Sequence, residues 1–182
     1  MSAASTAYLK LADYFIRCRD NAANLPEEQD VTPYWSGVGF SLNGHRLVAP
    51  LTEVAEILSP PACARVPGAQ DWVRGVANVR GRLMTVTDLN RFLERASEVA
   101  EGRRRLLVLD RDELYTGVMV DDVLGMQHFP VENRVTAPPR PEESPMAAYL
   151  DGGYRRDGEY WSVFSLARLA RDPRFMRAAS GE

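Results

Sequence analysis

Short alternating apolar runs, punctuated by glycine turns, restrict this chain more than any other feature. After Trp35, Val38, Phe40 and Leu42 alternate with small or polar residues and run into Asn43-Gly44. Both central residues of a two-residue hairpin take positive φ, which Asn-Gly tolerates best, so His45 to Ala49 is the return strand. Gly75 to Val79 and Leu83 to Leu89 flank a tight turn at Arg80-Gly81. Leu106 to Asp110 and Tyr115 to Val120 flank Arg111-Asp112-Glu113, and Val123 to Phe129 continues the sheet, broken at Gly125. Ala148 to Tyr154 and Tyr160 to Ser165 flank Arg156-Asp157-Gly158. Strands spaced this way predict a barrel or sandwich. Each half offers a hairpin followed by further strands, so two similar small barrels are expected.

Helices bracket the strands. Tyr8, Leu11, Ala12, Phe15, Cys18 and Ala22 recur at three- and four-residue steps, which predicts a helix over 1–25, capped by Ser5 or Thr6 and ended at Leu25-Pro26. Its apolar stripe is expected to pack on a barrel. Residues 26–33 read as a linker. Leu51, Val54, Ala55 and Leu58 are spaced for a short helix, and Asp88 is placed to cap another through Phe92 and Leu93. Leu166, Leu169, Ala170 and Phe175 predict a closing helix. Residues 94–105 are charged and read as a solvated connection that includes Arg103, Arg104 and Arg105. Residues 136–145 carry four prolines and are expected to cross the surface.

Little in the chain points to catalysis. The 182 residues are 45% apolar and 26% charged, enough to bury a core without disulfides or metal. No apolar run approaches the length of a membrane span, and the N-terminal stretch, without a continuous apolar region, is not expected to act as a secretory signal. Cys18 and Cys63 lie far apart without a metal or disulfide spacing. A net charge of −3 argues against non-specific nucleic-acid binding. His45 and His128 have no local partners for nucleophilic catalysis. Asp121-Asp122 lacks a third carboxylate or a phosphate loop and reads as a strand end. Gly37-Val38-Gly39 lacks the third glycine and the helix of a dinucleotide site. No cofactor or metal is expected. Only the stretch from Gly75 to Leu89, with a cation held between a strand and a glycine, reads as either a structural ion pair or an interface.

That stretch resembles the CheW family of chemosensory adaptors, on Gly75, Val76, Asn78, Arg80, Gly81, Leu83, Asp88 and Leu89. Val54, Glu56 and Ile57 match a second family segment. Gly117-Val118-Met119-Val120-Asp121 and Ser162 to Leu169 match others, over about residues 36–170. The leading helix, Trp35-Ser36-Gly37, the run Ala77 to Leu83 and Gly125 to Pro130 resemble the subgroup that serves type IV pilus (twitching) systems. Thr85 and Ser165 stand where the family favours proline and aspartate.

The resemblance implies a mainly β fold: two five-stranded SH3-like barrels sharing a core over 34–170, after an N-terminal helix and linker (1–33) and before a C-terminal helix end and tail (171–182). It implies a non-enzymatic, cytoplasmic adaptor at receptor arrays. Its implied partners are the regulatory domain of a CheA-type histidine kinase and the cytoplasmic tip of a methyl-accepting chemoreceptor. Val54, Glu56 and Arg80 are then expected near the receptor, and Ile57, Arg74, Gly75 and Gly81 near the kinase. Glu56 and Arg80 are expected to pair, so that Arg80 also holds its turn. The alternatives are a flagellar chemotaxis adaptor, a small β-barrel that binds nucleic acid, and an enzyme assembled from Asp121, His128 and Cys63.

Overall fold

The computed structural model describes residues 3–20, 33–95, 97, 99–111, 114–136 and 144–177. Residues 3–20 form one unit and the chain from Pro33 onward another. In the first, helix α1 spans Ala3–Asp20. It begins upstream of Ser5 and Thr6, so neither caps it, and its predicted last turn and the linker lie outside the described residues. Leu11 and Phe15 of its apolar stripe are exposed, and Asp13 pairs with Arg17 one turn on, at 3.0 Å.

In the second unit, β1 (Tyr34–Leu42) turns at Asn43-Gly44 into β2 (His45–Pro50). Asn43 and Gly44 adopt φ of 50° and 76°, as the hairpin requires. The helix predicted over 51–58 does not form. A single 3-10 turn, Leu51–Glu53, leads into β3 (Glu56–Leu58), which pairs with the strand Arg105–Arg111. The apolar spacing there is an extended segment: Val54 packs on one core, Leu58 on another, and Ile57 is exposed. There follow β4 (Val73–Val79), β5 (Arg82–Asp88), α2 (Leu89–Phe92), β6 (Arg105–Arg111), β7 (Leu114–Val120) and β8 (Asp122–Pro130). The chain finishes with β9 (Arg134–Val135), β10 (Leu150–Arg156), β11 (Glu159–Phe164), α3 (Leu166–Arg171) and α4 (Pro173–Met176). Asp88 caps α2 as expected, accepting from the Arg91 amide. Ser165 caps α3 in the same way, accepting from the Arg168 amide. Pro173 divides the closing helix in two.

Two sheets result, ordered β8-β1-β2-β11-β10-β9 and β3-β6-β7-β5-β4. They hold six strands and five, the sixth being the two-residue β9. The barrels are not successive halves of the chain. The second is inserted between β2 and β8 of the first, and β11 returns to pair with β2 in parallel. Local hairpin signals miss this because a parallel pair needs a long crossover.

Each sheet curls over its own interior. In the first barrel, Trp35, Phe129, Tyr154 and Trp161 stack across the closure between β8 and β10. Glycine makes room for them: a Cβ on Gly39 would lie 3.0 Å from the Trp161 ring and 2.6 Å from Gln127 Cγ. Arg156 covers the cluster, 5.1 Å from the Phe129 ring centre, and donates to Gln127 Oε1 at 2.7 Å. The second interior is aliphatic, built from Ala77, Val79, Met84, Val86, Leu106, Val108 and Met119. Alternate residues of the same strands face outward into a third, shared core. Val38, Phe40 and Leu42 of β1, Leu107 and Leu109 of β6, and Val118 and Val120 of β7 meet there with α2, α3 and Phe175 of α4. Leu107 and Phe40 are fully buried, so the shared core joins the barrels rigidly.

A polar cluster also joins them, and it corrects the expectation for residues 94–105. Arg104 is not solvated but 4% exposed, and its guanidinium donates two 2.8 Å bonds to the buried Asp88 carboxylate. Asp121 lies 3.9 Å from the Arg104 Nε. Its carboxylate accepts from the Asn43 amide at 2.6 Å, Asn90 Nδ2 at 2.8 Å and Ser97 Oγ at 2.5 Å. Asn43 belongs to the first barrel's hairpin and Asn90 to α2 after the second barrel's β5. Asp121 therefore ties the barrels together, a fuller role than a strand end with one capping carboxylate.

Candidate partner-binding surface

The second barrel has one gap, between its edge strands β3 and β4. Two devices close it. Ala64, in the loop before β4, exchanges backbone hydrogen bonds with Val76 at 2.9 Å. Further along, Arg80 Nη2 donates to Glu56 Oε1 at 2.5 Å. The expected Glu56–Arg80 pair is thus present and spans the seam. Arg80 reaches it from the β4–β5 turn, where Arg80 and Gly81 take φ of 53° and 84°. The turn is fixed from within, because Asn78 Oδ1 accepts from the Gly81 amide at 2.8 Å. The Arg80 side chain is 77% exposed against 27% for Glu56, so most of the guanidinium is presented to solvent.

Around this pair lies an exposed surface. Leu83, two residues past the turn, is 72% exposed, uncommon for a leucine inside a strand. Beside it, Arg82 donates twice to Asp110, at 2.6 and 3.2 Å, with its guanidinium 3.9 Å from the Tyr115 ring centre. The hydrogen bond to Arg82 holds the Asp110 carboxyl below the usual carboxylate range. The exposure of Leu83 follows from strand parity, because Met84 and Val86 fill the interior.

The other sequence-predicted residues divide into three groups. Val54 is half-buried against the shared core, while Ile57, opposite Leu107 on the shared-core side of β3, is exposed because no strand covers that edge. Gly81 has open space around its Cβ position, so glycine serves backbone conformation there. Gly75 is buried at φ 140°, and a Cβ would lie 2.2 Å from the Ala64 carbonyl. It seats the 59–72 loop on β4. Arg74 borders a cavity of about 680 Å³ beneath that loop, apart from the Glu56–Arg80 seam.

Asp121, His128 and Cys63 have separate local partners. Asp121 holds the barrels together. His128 Nδ1 meets Ser36 Oγ at 2.7 Å on the exposed β1–β8 surface, and Cys63 Sγ donates to the Pro61 carbonyl at 3.3 Å. Among the described residues, no group of histidine, cysteine and carboxylate side chains is placed to hold a metal. No helix among them is long and apolar enough to cross a membrane.

Comparison with known proteins agrees with this architecture. The chain is 40% identical to Protein PilI of Pseudomonas aeruginosa over 179 residues, 98% of this chain and 99% of that one. It is 32% identical to Protein FrzA of Myxococcus xanthus over 99 residues, 54% of this chain and 62% of that one. The scaffolding protein TtCheW of Thermoanaerobacter tengcongensis superposes with a TM-score of 0.67 at 18% identity, over 78% of this chain and 95% of that one, and so shares the fold. Residues 36–174 match the CheW-like domain, and the chain belongs to the CheW-like family of chemosensory coupling adaptors.

Proposed function

We propose that this protein is a non-enzymatic adaptor that couples methyl-accepting chemoreceptors to a CheA-type histidine kinase, at the cytoplasmic face of receptor arrays, in a pathway controlling type IV pilus twitching. The observation that carries the reading is the similarity to PilI over nearly the whole of both chains, including the segment before the CheW-like domain. The resemblance of the leading helix, Trp35-Ser36-Gly37 and Gly125 to Pro130 to the pilus subgroup supports the same output.

The geometry suits an adaptor. Two barrels locked by a shared core and by Asp121 form a stiff body with separate faces, so one partner is held at a fixed position relative to another. Val54, Glu56 and the Arg80 guanidinium serve the receptor-facing side. Ile57, Arg74, Gly75 and Gly81 serve the kinase-facing side, Gly75 by seating the loop beside Arg74.

The test is co-purification of the tagged chain from its own lysate. Recovery of both a histidine kinase and a chemoreceptor is expected, with Arg80→Ala reducing receptor recovery and sparing the kinase. Recovery of neither partner refutes the reading. A deletion strain that twitches normally but fails to swim assigns the chain to flagellar chemotaxis instead.

A further inference from the structure

The cavity beside Arg74 has a charge pattern that the adaptor reading does not account for. It opens to solvent beneath the 59–72 loop, which Gly75 and the Ala64–Val76 bridge hold in place. Among the described residues, three arginines line it, Arg65, Arg74 and Arg91, against one carboxylate, Asp71, in a chain whose net charge is −3. The arginines come from the loop, β4 and α2. Arg91 keeps donor capacity: its described contacts are a 3.4 Å bond to the Asp71 carbonyl and a 3.9 Å approach to Asp88, whose carboxylate Arg104 already holds bidentately. Arg65 is exposed and makes no hydrogen bond or ion pair with the described residues. Cys63 lies in the same wall. Burial pushes its thiol pKa up while Arg74 draws it down, so the Arg74 field reaches into the cavity.

We infer that this cavity receives an acidic segment of the partner that docks on the Arg74 face, with its carboxylates on Arg65 and Arg91. The inference rests on the kinase-facing reading of Arg74 and deepens it. Guanidinium forks match carboxylates in two-point contacts. Arg65 and Arg91 are exposed, so solvent and salt weaken their hold on a small free anion. A segment delivered by an already docked partner arrives at high effective concentration and needs little affinity of its own. At about 680 Å³ the space fits several side chains rather than one ion.

The full chain is titrated with fluorescein-labelled hexaglutamate at low salt, and alkylation of Cys63 by iodoacetamide is followed on its own peptide. Hexaglutamate is expected to bind, to slow Cys63 alkylation, and to bind about tenfold more weakly to Arg65→Glu/Arg91→Glu, with Arg65→Gln/Arg91→Gln in between. Both residues are exposed, so the fold is expected to survive. Equal binding to all three proteins, or binding that leaves Cys63 alkylation unchanged, overturns the inference. Pyrophosphate protecting Cys63 better than hexaglutamate also overturns it, in favour of a small-anion site. The kinase regulatory domain, assayed in parallel, is expected to lose affinity for the charge-reversed variant; equal affinity overturns the inference. A wild-type chain that captures hexaglutamate on Cys63 but no kinase keeps the acidic-segment site and removes the kinase reading.

Discussion

Replacing Arg104 by methionine tests whether the Asp88–Arg104–Asp121 cluster locks the barrels. The wild-type guanidinium satisfies Asp88 with two bonds of 2.8 Å and lies 3.9 Å from Asp121, with Arg104 and Asp88 4% and 2% exposed. Methionine fills similar space without charge and leaves the buried Asp88 carboxylate without its cation. Removing one partner of a buried pair costs about 3–5 kcal/mol. For a domain of total stability about 5–15 kcal/mol that is a large fraction. With an m-value near 2 kcal/mol/M, the urea midpoint should fall by about 2 M. Asp88→Asn keeps the oxygen that caps α2 and removes the charge, so a double-mutant cycle with Arg104→Met isolates the pair. The double variant should be more stable than the sum of the single losses implies, by at least about 1 kcal/mol. An Arg104→Met loss below 1 kcal/mol, or strict additivity at unchanged m, would refute the view that this pair is a buried lock.

Three further outcomes are expected. Arg80→Ala should cost under about 1 kcal/mol in urea unfolding, because the pair is mostly solvent-exposed, yet weaken receptor recruitment by about 1–3 kcal/mol; a large stability loss with normal recruitment would show that Arg80 only closes the seam. Gly75→Ala should destabilise by about 1–3 kcal/mol and impair kinase binding through the displaced loop, whereas Gly81→Asn should be nearly neutral in stability, both read by thermal melts and kinase pull-down. The buried Tyr149 hydroxyl, hydrogen-bonded to Asp172 and pushed up to about 12 chiefly by burial, titrates above its unfolded value near 10. A group that must stay neutral in the fold contributes stability below pH 10 that is lost between about pH 10 and 12. Tyr149→Phe should flatten that part of the stability-against-pH curve; an unchanged slope would reject the assignment.

Local rules settled the hairpins at Asn43-Gly44 and Arg80-Gly81 and the cap at Asp88, because a positive φ or an unsatisfied helix amide selects residues within a few positions. Strand alternation likewise put Val38, Phe40 and Leu42 on one apolar face, without saying which core it meets. The Glu56–Arg80 contact came from family resemblance, since residues 24 apart, one on β3 and one in the β4–β5 turn, leave no periodic trace. Tertiary structure alone decided the rest. The β2–β11 pairing inserts one barrel inside the other, Asp88 and Asp121 draw Arg104 out of a charged run into the interior, and the Ala64 carbonyl makes Gly75 obligatory. In each case the deciding partner is distant along the chain and becomes a neighbour only after the sheets close.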